Sequence, residues 1–197
     1  MSNSKKLKKA IFLDRDGVIN KEKGYVHKIG DFEFEKNALK GLKSINFKEY
    51  LVFIVCNQAG IAKGYYTEKD FKKLDCWLRK FLLNEGVKIT KTYYCPHHPN
   101  ATISRYKKEC SCRKPAEGLL LKAKREFNID LNSSYLIGDK TSDILAGKKV
   151  GCKTFLVKTG YGGKDNLFKV KPDFIVDDLY EAIKLINENS EINFKTN

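Results

Sequence analysis

The stretch Ala10-Ile11-Phe12-Leu13-Asp14-Arg15-Asp16-Gly17-Val18 constrains this chain more than any other. Four consecutive apolar residues without polar alternation describe a strand buried on both faces, which belongs inside a parallel sheet covered by helices. The run stops at two carboxylates one residue apart, and Gly17 lets the backbone turn away. Such sheets deliver residues of this kind to their carboxyl edge, where ligands bind. Carboxylates at i and i+2 share one face of an extended strand and repel each other, so a positive group is expected there. A hard divalent cation such as Mg2+, shared with a phosphate, fits that position, and an aspartate beside it can act as a nucleophile toward phosphorus.

The same design recurs along the chain. Strands are expected at 9–14, 51–56, 89–94, 135–137, 154–157 and 174–176. Between them, Leu39, Leu42 and Ile45 recur at helical spacing, and Thr67-Glu68-Lys69-Asp70 forms a capping box ahead of a stripe of Phe71, Leu74, Leu78, Phe81 and Leu82, with Trp77 on or beside it. Further helices are expected over 116–127, from 141, and over 178–188. Strands alternating with helices predict an α/β fold: a doubly wound parallel sheet with helices on both faces. Residues 20–36, with Gly24, Gly30 and three aromatics, read as a loop over the end of the first strand. At 197 residues the chain suits one domain over 9–188, between a basic extension (1–8) and a tail (189–197). No insertion is long enough to form a large cap domain. No apolar run approaches a membrane span and the basic N-terminus leads into only four apolar residues, so a cytoplasmic protein, expected to be a monomer, is read from the sequence.

The net charge is +14, from 38 basic and 24 acidic residues. It favours anionic partners, but the lysines are dispersed, which suits a basic surface as well as a nucleic-acid groove. Six cysteines in such a chain are not read as disulfides. Four candidate ligands, three thiolates and one imidazole, fall in two tight pairs, Cys95-x-His97 and Cys110-x-Cys112, and match a closed tetrahedral Zn2+ site, which is structural because no coordination position is left open. His98 is then a loop histidine, and Cys76 and Cys152 are expected in the core.

Three strand ends converge in this reading: Asp14 and Asp16, then Cys56-Asn57-Gln58, then Gly138-Asp139 with Asp143. With D-R-D-G-V-I-N (14–20), K-G-Y-V-H (23–27), D-F-E-F (31–34), N-Q-A-G-I-A (57–62), C-P-H-H-P (95–99), C-x-C-R-K-P (110–115) and G-D-K (138–140), the chain resembles the haloacid dehalogenase superfamily. Within it the resemblance is to the branch of heptose 1,7-bisphosphate phosphatases, with histidinol-phosphate phosphatases sharing most motifs. It runs from about residue 9 to 160.

The resemblance implies a Rossmann-like core with a zinc-binding loop and an aspartate-nucleophile phosphatase mechanism. Asp14 would attack phosphorus, and Asp16 would protonate the leaving group and later deprotonate water. The Mg2+ site is expected to draw on Asp14, Asp16, Asp139 and Lys140, with Asp143 behind them orienting Lys114 or a metal-bound water. Arg113 and Lys114, directly after the last zinc ligand, supply the remaining positive charge. Glu22, Lys23, Gly24 and Tyr25 are expected to meet the substrate, a phosphorylated sugar, together with Asn57, Gln58, Ala59, Arg113 and Lys114. One departure stands out: the family usually has Ser or Thr before Asn-Gln, and this chain has Cys56. Its thiol is expected to point into the crevice as a weak donor to the phosphoryl group, with a depressed pKa. The function implied is Mg2+-dependent removal of the 7-phosphate of a heptose 1,7-bisphosphate on the way to nucleotide-activated heptose. Histidinol-phosphate hydrolysis is the alternative within enzymes. A zinc-stabilised nucleic-acid binder is the alternative from another class, although neither nucleic acid nor membrane is expected as a partner.

Overall fold

A computed structural model describes residues 7–195 of the chain. β1 (Lys9–Leu13) lies at the centre of a six-stranded, all-parallel sheet, between β2 (Tyr50–Asn57) and β4 (Tyr135–Gly138). With β3 (Lys91–Cys95), β5 (Lys153–Val157) and β6 (Phe174–Val176) the order is β3-β2-β1-β4-β5-β6. Phe12 is in register with Phe53 on one side and Leu136 on the other. The strand order reverses between β1 and β4, and a crevice opens at the carboxyl ends of that pair.

Side-chain alternation along β1 supplies two cores. Ile11 and Leu13 face a layer with α1 (Ala38–Lys43), α3 (Glu68–Asn84) and α6 (Leu179–Lys195). Ala10 and Phe12 face α4 (Gly118–Phe127) and α5 (Thr141–Lys149). Phe71, Leu74, Leu78 and Leu82 of α3 are all buried, each contributing about 1.5–3 kcal/mol of transfer free energy. The capping box forms: Thr67 Oγ1 accepts the Asp70 amide at 3.2 Å and Asp70 Oδ2 accepts the Thr67 amide at 2.9 Å.

Some boundaries differ from expectation. Directly after β2, where no helix is expected, α2 (Ala59–Ala62) winds one helical turn. Helix α6 continues through most of the segment expected as a tail. Residues 1–6 and 196–197 lie outside the described residues, but Lys8 of the expected extension belongs to the fold, exchanging backbone hydrogen bonds with Asn128 and Asp130 at 2.9 Å each. Cys152 is buried as expected, whereas Cys76 is exposed, two positions from both Leu74 and Leu78 and so on the opposite side of α3 from its buried stripe. Among the described residues no helix is long and apolar enough to cross a membrane. The 20–36 loop is irregular as expected, and Phe32 and Phe34 pin it to α3 by packing on Trp77 and Phe81, with ring centroids 5.2 and 5.4 Å apart.

Candidate active site

Asp14 stands at the end of β1 because the strand runs out there, and its carboxylate is buried. Its Oδ1 accepts the Arg15 amide at 2.8 Å and lies 3.1 Å from Lys114 Nζ. Lys114 Nζ also lies 2.6 Å from Asp143 Oδ1 and donates to the Val55 carbonyl at 2.6 Å. Burial alone would lower the Lys114 pKa, but Asp14 and Asp143 outweigh it and raise it. A buried ammonium is therefore held charged against the Asp14 carboxylate.

Asp14, Asp139 and Asp143 each present an oxygen within 4.8 Å of the other two. Asp139, at the end of β4, is fully buried. Its Oδ2 accepts the Tyr161 amide at 2.9 Å. A Cβ at Gly17 or Gly160 would stand 2.2 or 2.3 Å from that oxygen, and both glycines have positive φ (+84° and +58°). The glycine loop after β5 and the turn after Asp16 thus form a cradle that no side chain could enter. Among the described residues Asp139 Oδ1 has no hydrogen-bond partner. A buried carboxylate oxygen left over beside two more carboxylates is a donor set suited to a hard cation, so these residues fit Mg2+. Burial, then the charges of Asp14 and Asp143, push the Asp139 pKa up to about 8, a cost that a divalent cation removes.

Lys140, expected among the Mg2+ ligands, stands at the N-terminus of α5 beside Asp139. Its carbonyl accepts the Asp143 amide in the first turn of α5, and its ammonium lies 3.1 Å from Glu22 Oε2. The carbonyl oxygen keeps a second lone pair that a metal could use, and the ammonium is a charge partner of Glu22. Asp143, expected behind the metal site, is a member of the carboxylate group as well as the partner of Lys114.

Asp16 is held by residues whose part was not read from the sequence. Arg15, fully buried, forks onto it: Nη2 reaches both carboxylate oxygens at 2.9 Å and Nε reaches Oδ1 at 3.2 Å. Asn20 Nδ2 donates to Oδ1 at 2.9 Å and Gln58 Nε2 to Oδ2 at 3.2 Å. Arg15 sits inside the D-R-D motif, so its position was visible; its inward direction was not.

The cysteine cluster assembles as expected. Cys95, Cys110 and Cys112 sulfurs and His97 Nδ1 stand 3.1 to 3.7 Å apart where they meet. Those separations are too long for a disulfide, about 2.05 Å, and close to the edges of a tetrahedron with about 2.3 Å bonds, so the donor set fits Zn2+. Arg113 follows, with Nη1 donating to the His97 carbonyl at 3.3 Å. Asn57, expected to meet substrate, turns both ends of its amide onto Lys114: Oδ1 accepts the Lys114 amide and Nδ2 donates to its carbonyl, each at 3.0 Å. It clamps the backbone that carries the buried lysine.

A cavity of about 650 Å3 opens above these groups. Asp14, Asp16, Arg113 and Lys114 line it, with Glu22, Gly24 and Tyr25 from the 20–36 loop and Asn57, Gln58 and Ala59 from the end of β2. Tyr25 closes toward α2, its hydroxyl accepting from Lys63 Nζ at 2.6 Å, and Lys63 and His98 add to the wall. Lys23 does not line the cavity and pairs with Glu33 at 2.9 Å. Cys56 is also absent from the lining. Strand alternation turns its side chain into the core with Ile54, where Sγ lies 3.9 Å from the Tyr93 carbonyl. Burial pushes the thiol pKa up to about 12, against the depression expected of it.

The family model described as HAD-hydrolase-like matches residues 111–182. A D-glycero-alpha-D-manno-heptose-1,7-bisphosphate 7-phosphatase of Photorhabdus laumondii is 49% identical over 154 residues, 78% of this chain and 84% of its own. A D-glycero-beta-D-manno-heptose-1,7-bisphosphate 7-phosphatase of Pasteurella multocida is 42% identical over 181 residues, 91% of this chain and 97% of its own. Among solved structures, D,D-heptose 1,7-bisphosphate phosphatase from B. bronchiseptica, complexed with magnesium and phosphate, superposes with a TM-score of 0.80 at 25% identity, over 92% of this chain and 99% of that one.

Proposed function

Because the chain belongs to the heptose-1,7-bisphosphate 7-phosphatase family of haloacid dehalogenase-like hydrolases, we propose that it removes the 7-phosphate of a D-glycero-D-manno-heptose 1,7-bisphosphate. The observation that carries this reading is the buried Asp14–Lys114–Asp143 chain, set beside Asp139 at the strand-order reversal and open to a cavity that can hold a phosphorylated sugar.

Asp14 attacks phosphorus. The bond from phosphorus to the sugar C7 oxygen breaks, and Asp16 gives its proton to that oxygen. Asp16 then takes a proton from water as the water oxygen attacks the aspartyl phosphate, releasing inorganic phosphate and restoring Asp14. Lys114 holds Asp14 in place, Asp143 holds Lys114, and Arg113 presents its planar fork to the substrate. Mg2+, held by the Asp14 side chain, the Asp16 carbonyl and Asp139, supplies charge neutralisation of the phosphoryl oxygens when bound. Cys95, His97, Cys110 and Cys112 would hold Zn2+ as a full set of four protein donors, and the metal would keep the loop bearing Arg113 and Lys114 rigid. The reaction is placed in the cytoplasm, on the way to nucleotide-activated heptose, with the chain acting as a monomer on a small phosphorylated sugar rather than on nucleic acid or a membrane.

Phosphate release is to be measured against both anomers of heptose 1,7-bisphosphate, histidinol phosphate and a 3′-phosphorylated oligonucleotide. Preference for a heptose bisphosphate, lost in Asp14→Asn without loss of folding or zinc, is expected. Preference for histidinol phosphate or the oligonucleotide, or turnover in Asp14→Asn above about one part in a thousand once deamidation is excluded, would overturn the assignment.

A further inference from the structure

Asp16 does not stand alone at the site; a short buried chain of hydrogen bonds ends on it. Gln58, 2% exposed, presents Nε2 to Asp16 Oδ2 at 3.2 Å, and its Oε1 accepts from the Tyr66 hydroxyl at 2.6 Å. Tyr66 is itself buried and seated on two sides. Its ring stacks on His27 with centroids 4.8 Å apart and planes 8° from parallel. Against its edge lies Gly60, where a Cβ would stand 2.2 Å from Cε1.

A glutamine amide has two nearly isosteric orientations, a donor face and an acceptor face. An ionised carboxylate only accepts, so it is served by one of them. The Asp16 carboxylate therefore selects the orientation that presents Nε2, and the Tyr66 hydroxyl, which can donate or accept, donates to the Oε1 left facing it and anchors the amide there. We propose that Tyr66 is a positioning residue for Asp16, fixing the Gln58 amide so that the carboxylate is held from the Gln58 side as well as by the Arg15 fork. Without the hydroxyl the Gln58 amide loses its anchor at the Oε1 end, and Nε2 is no longer held on Asp16 Oδ2. Gln58 thus serves the acid and base group of the reaction through its side chain, with Tyr66 behind it. The inference rests on the proposed role of Asp16 as the group that protonates the leaving oxygen.

The test compares kcat/KM for heptose 1,7-bisphosphate, whose alkoxide leaving group needs a proton, with 4-nitrophenyl phosphate, whose leaving group does not. The proteins are the natural chain, Tyr66→Phe, Gln58→Ala, the double variant and Asp16→Asn. Tyr66→Phe should lose about three- to tenfold on the heptose substrate and less than twofold on the aryl phosphate. In the Gln58→Ala background the same substitution should cost nothing further, because the two act in series. Equal losses on both substrates, losses that multiply in the double variant, or no loss would each overturn the proposal. A leaving-group-independent loss in Asp16→Asn would instead remove the assigned role of Asp16, and the proposal with it.

Discussion

A single strand position decides what a residue at the second strand end can do. The residue before Asn57-Gln58 is a thiol, and along β2 the alternation sends residue 56 into the core and residue 57 toward the crevice. Buried, with its pKa pushed up to about 12, Cys56 should resist alkylation in the folded protein, while the exposed Cys76 reacts. Peptide mapping after iodoacetamide treatment checks this; labelling of Cys56 as fast as Cys76, or protection by Mg2+ and phosphate, would place the thiol in the cavity after all. Arg113 is the opposite case, a side chain turned toward the cavity. It lines the cavity while its neighbour Lys114 is buried beneath it. Arg113→Ala should keep zinc bound and cost about 1.5–3 kcal/mol of transition-state binding, about ten- to two-hundred-fold in kcat/KM. Steady-state kinetics with metal analysis decides the matter, and a loss below about threefold would take Arg113 out of the substrate contact.

At the scale of elements, the loop between β3 and α4 carries both the cysteine cluster and the Arg113-Lys114 pair, so one element serves stability and chemistry together. Its anchors are distributed: the Asn57 amide clamps the Lys114 backbone from the end of β2, and Tyr106 donates to Glu68 of α3 at 2.8 Å. Cys112→Ala should therefore lose zinc and lower the melting temperature, and activity should fall further than the folded fraction does, because Lys114 shifts relative to Asp14. Parallel measurement of zinc content, thermal melting and kcat/KM tests this. Full activity in a zinc-free folded variant would show that the protein anchors suffice.

For the whole molecule, three carboxylates are brought to the reversal point of the sheet and share one buried volume. In the metal-free protein the Asp139 pKa is pushed up from the ordinary carboxylate value to about 8 by burial, then by Asp14 and Asp143. Between those two pKa values the native state binds more protons than the unfolded state, so this group makes stability fall as pH rises through the window. Mg2+ binds the ionised form and removes the penalty. The melting temperature gained on adding Mg2+ should accordingly be small near pH 5 and grow toward pH 8. Thermal melts with Mg2+ and with chelator across that range test it, and a gain independent of pH would mean that Asp139 is already ionised without the metal.

How much of this was legible in the sequence follows the range of the interactions involved. Buried parallel strands, the capping box of α3, the Cys-x-His and Cys-x-Cys pairs and the acids at strand ends are written in short spacings, because apolar runs, helix caps and ligand pairs are local physics. The convergence of Asp14, Asp139 and Asp143 was legible too, since parallel strands have one carboxyl edge. What the linear sequence could not reveal was the direction of side chains whose partners come from elsewhere in the chain. Arg15 turns inward onto the Val26 carbonyl, Asn57 onto Lys114, Lys140 onto Glu22 and Cys56 into the core. Each direction follows from the free energy of burying a polar or apolar group beside a partner that folding brings near, and no spacing records that partner.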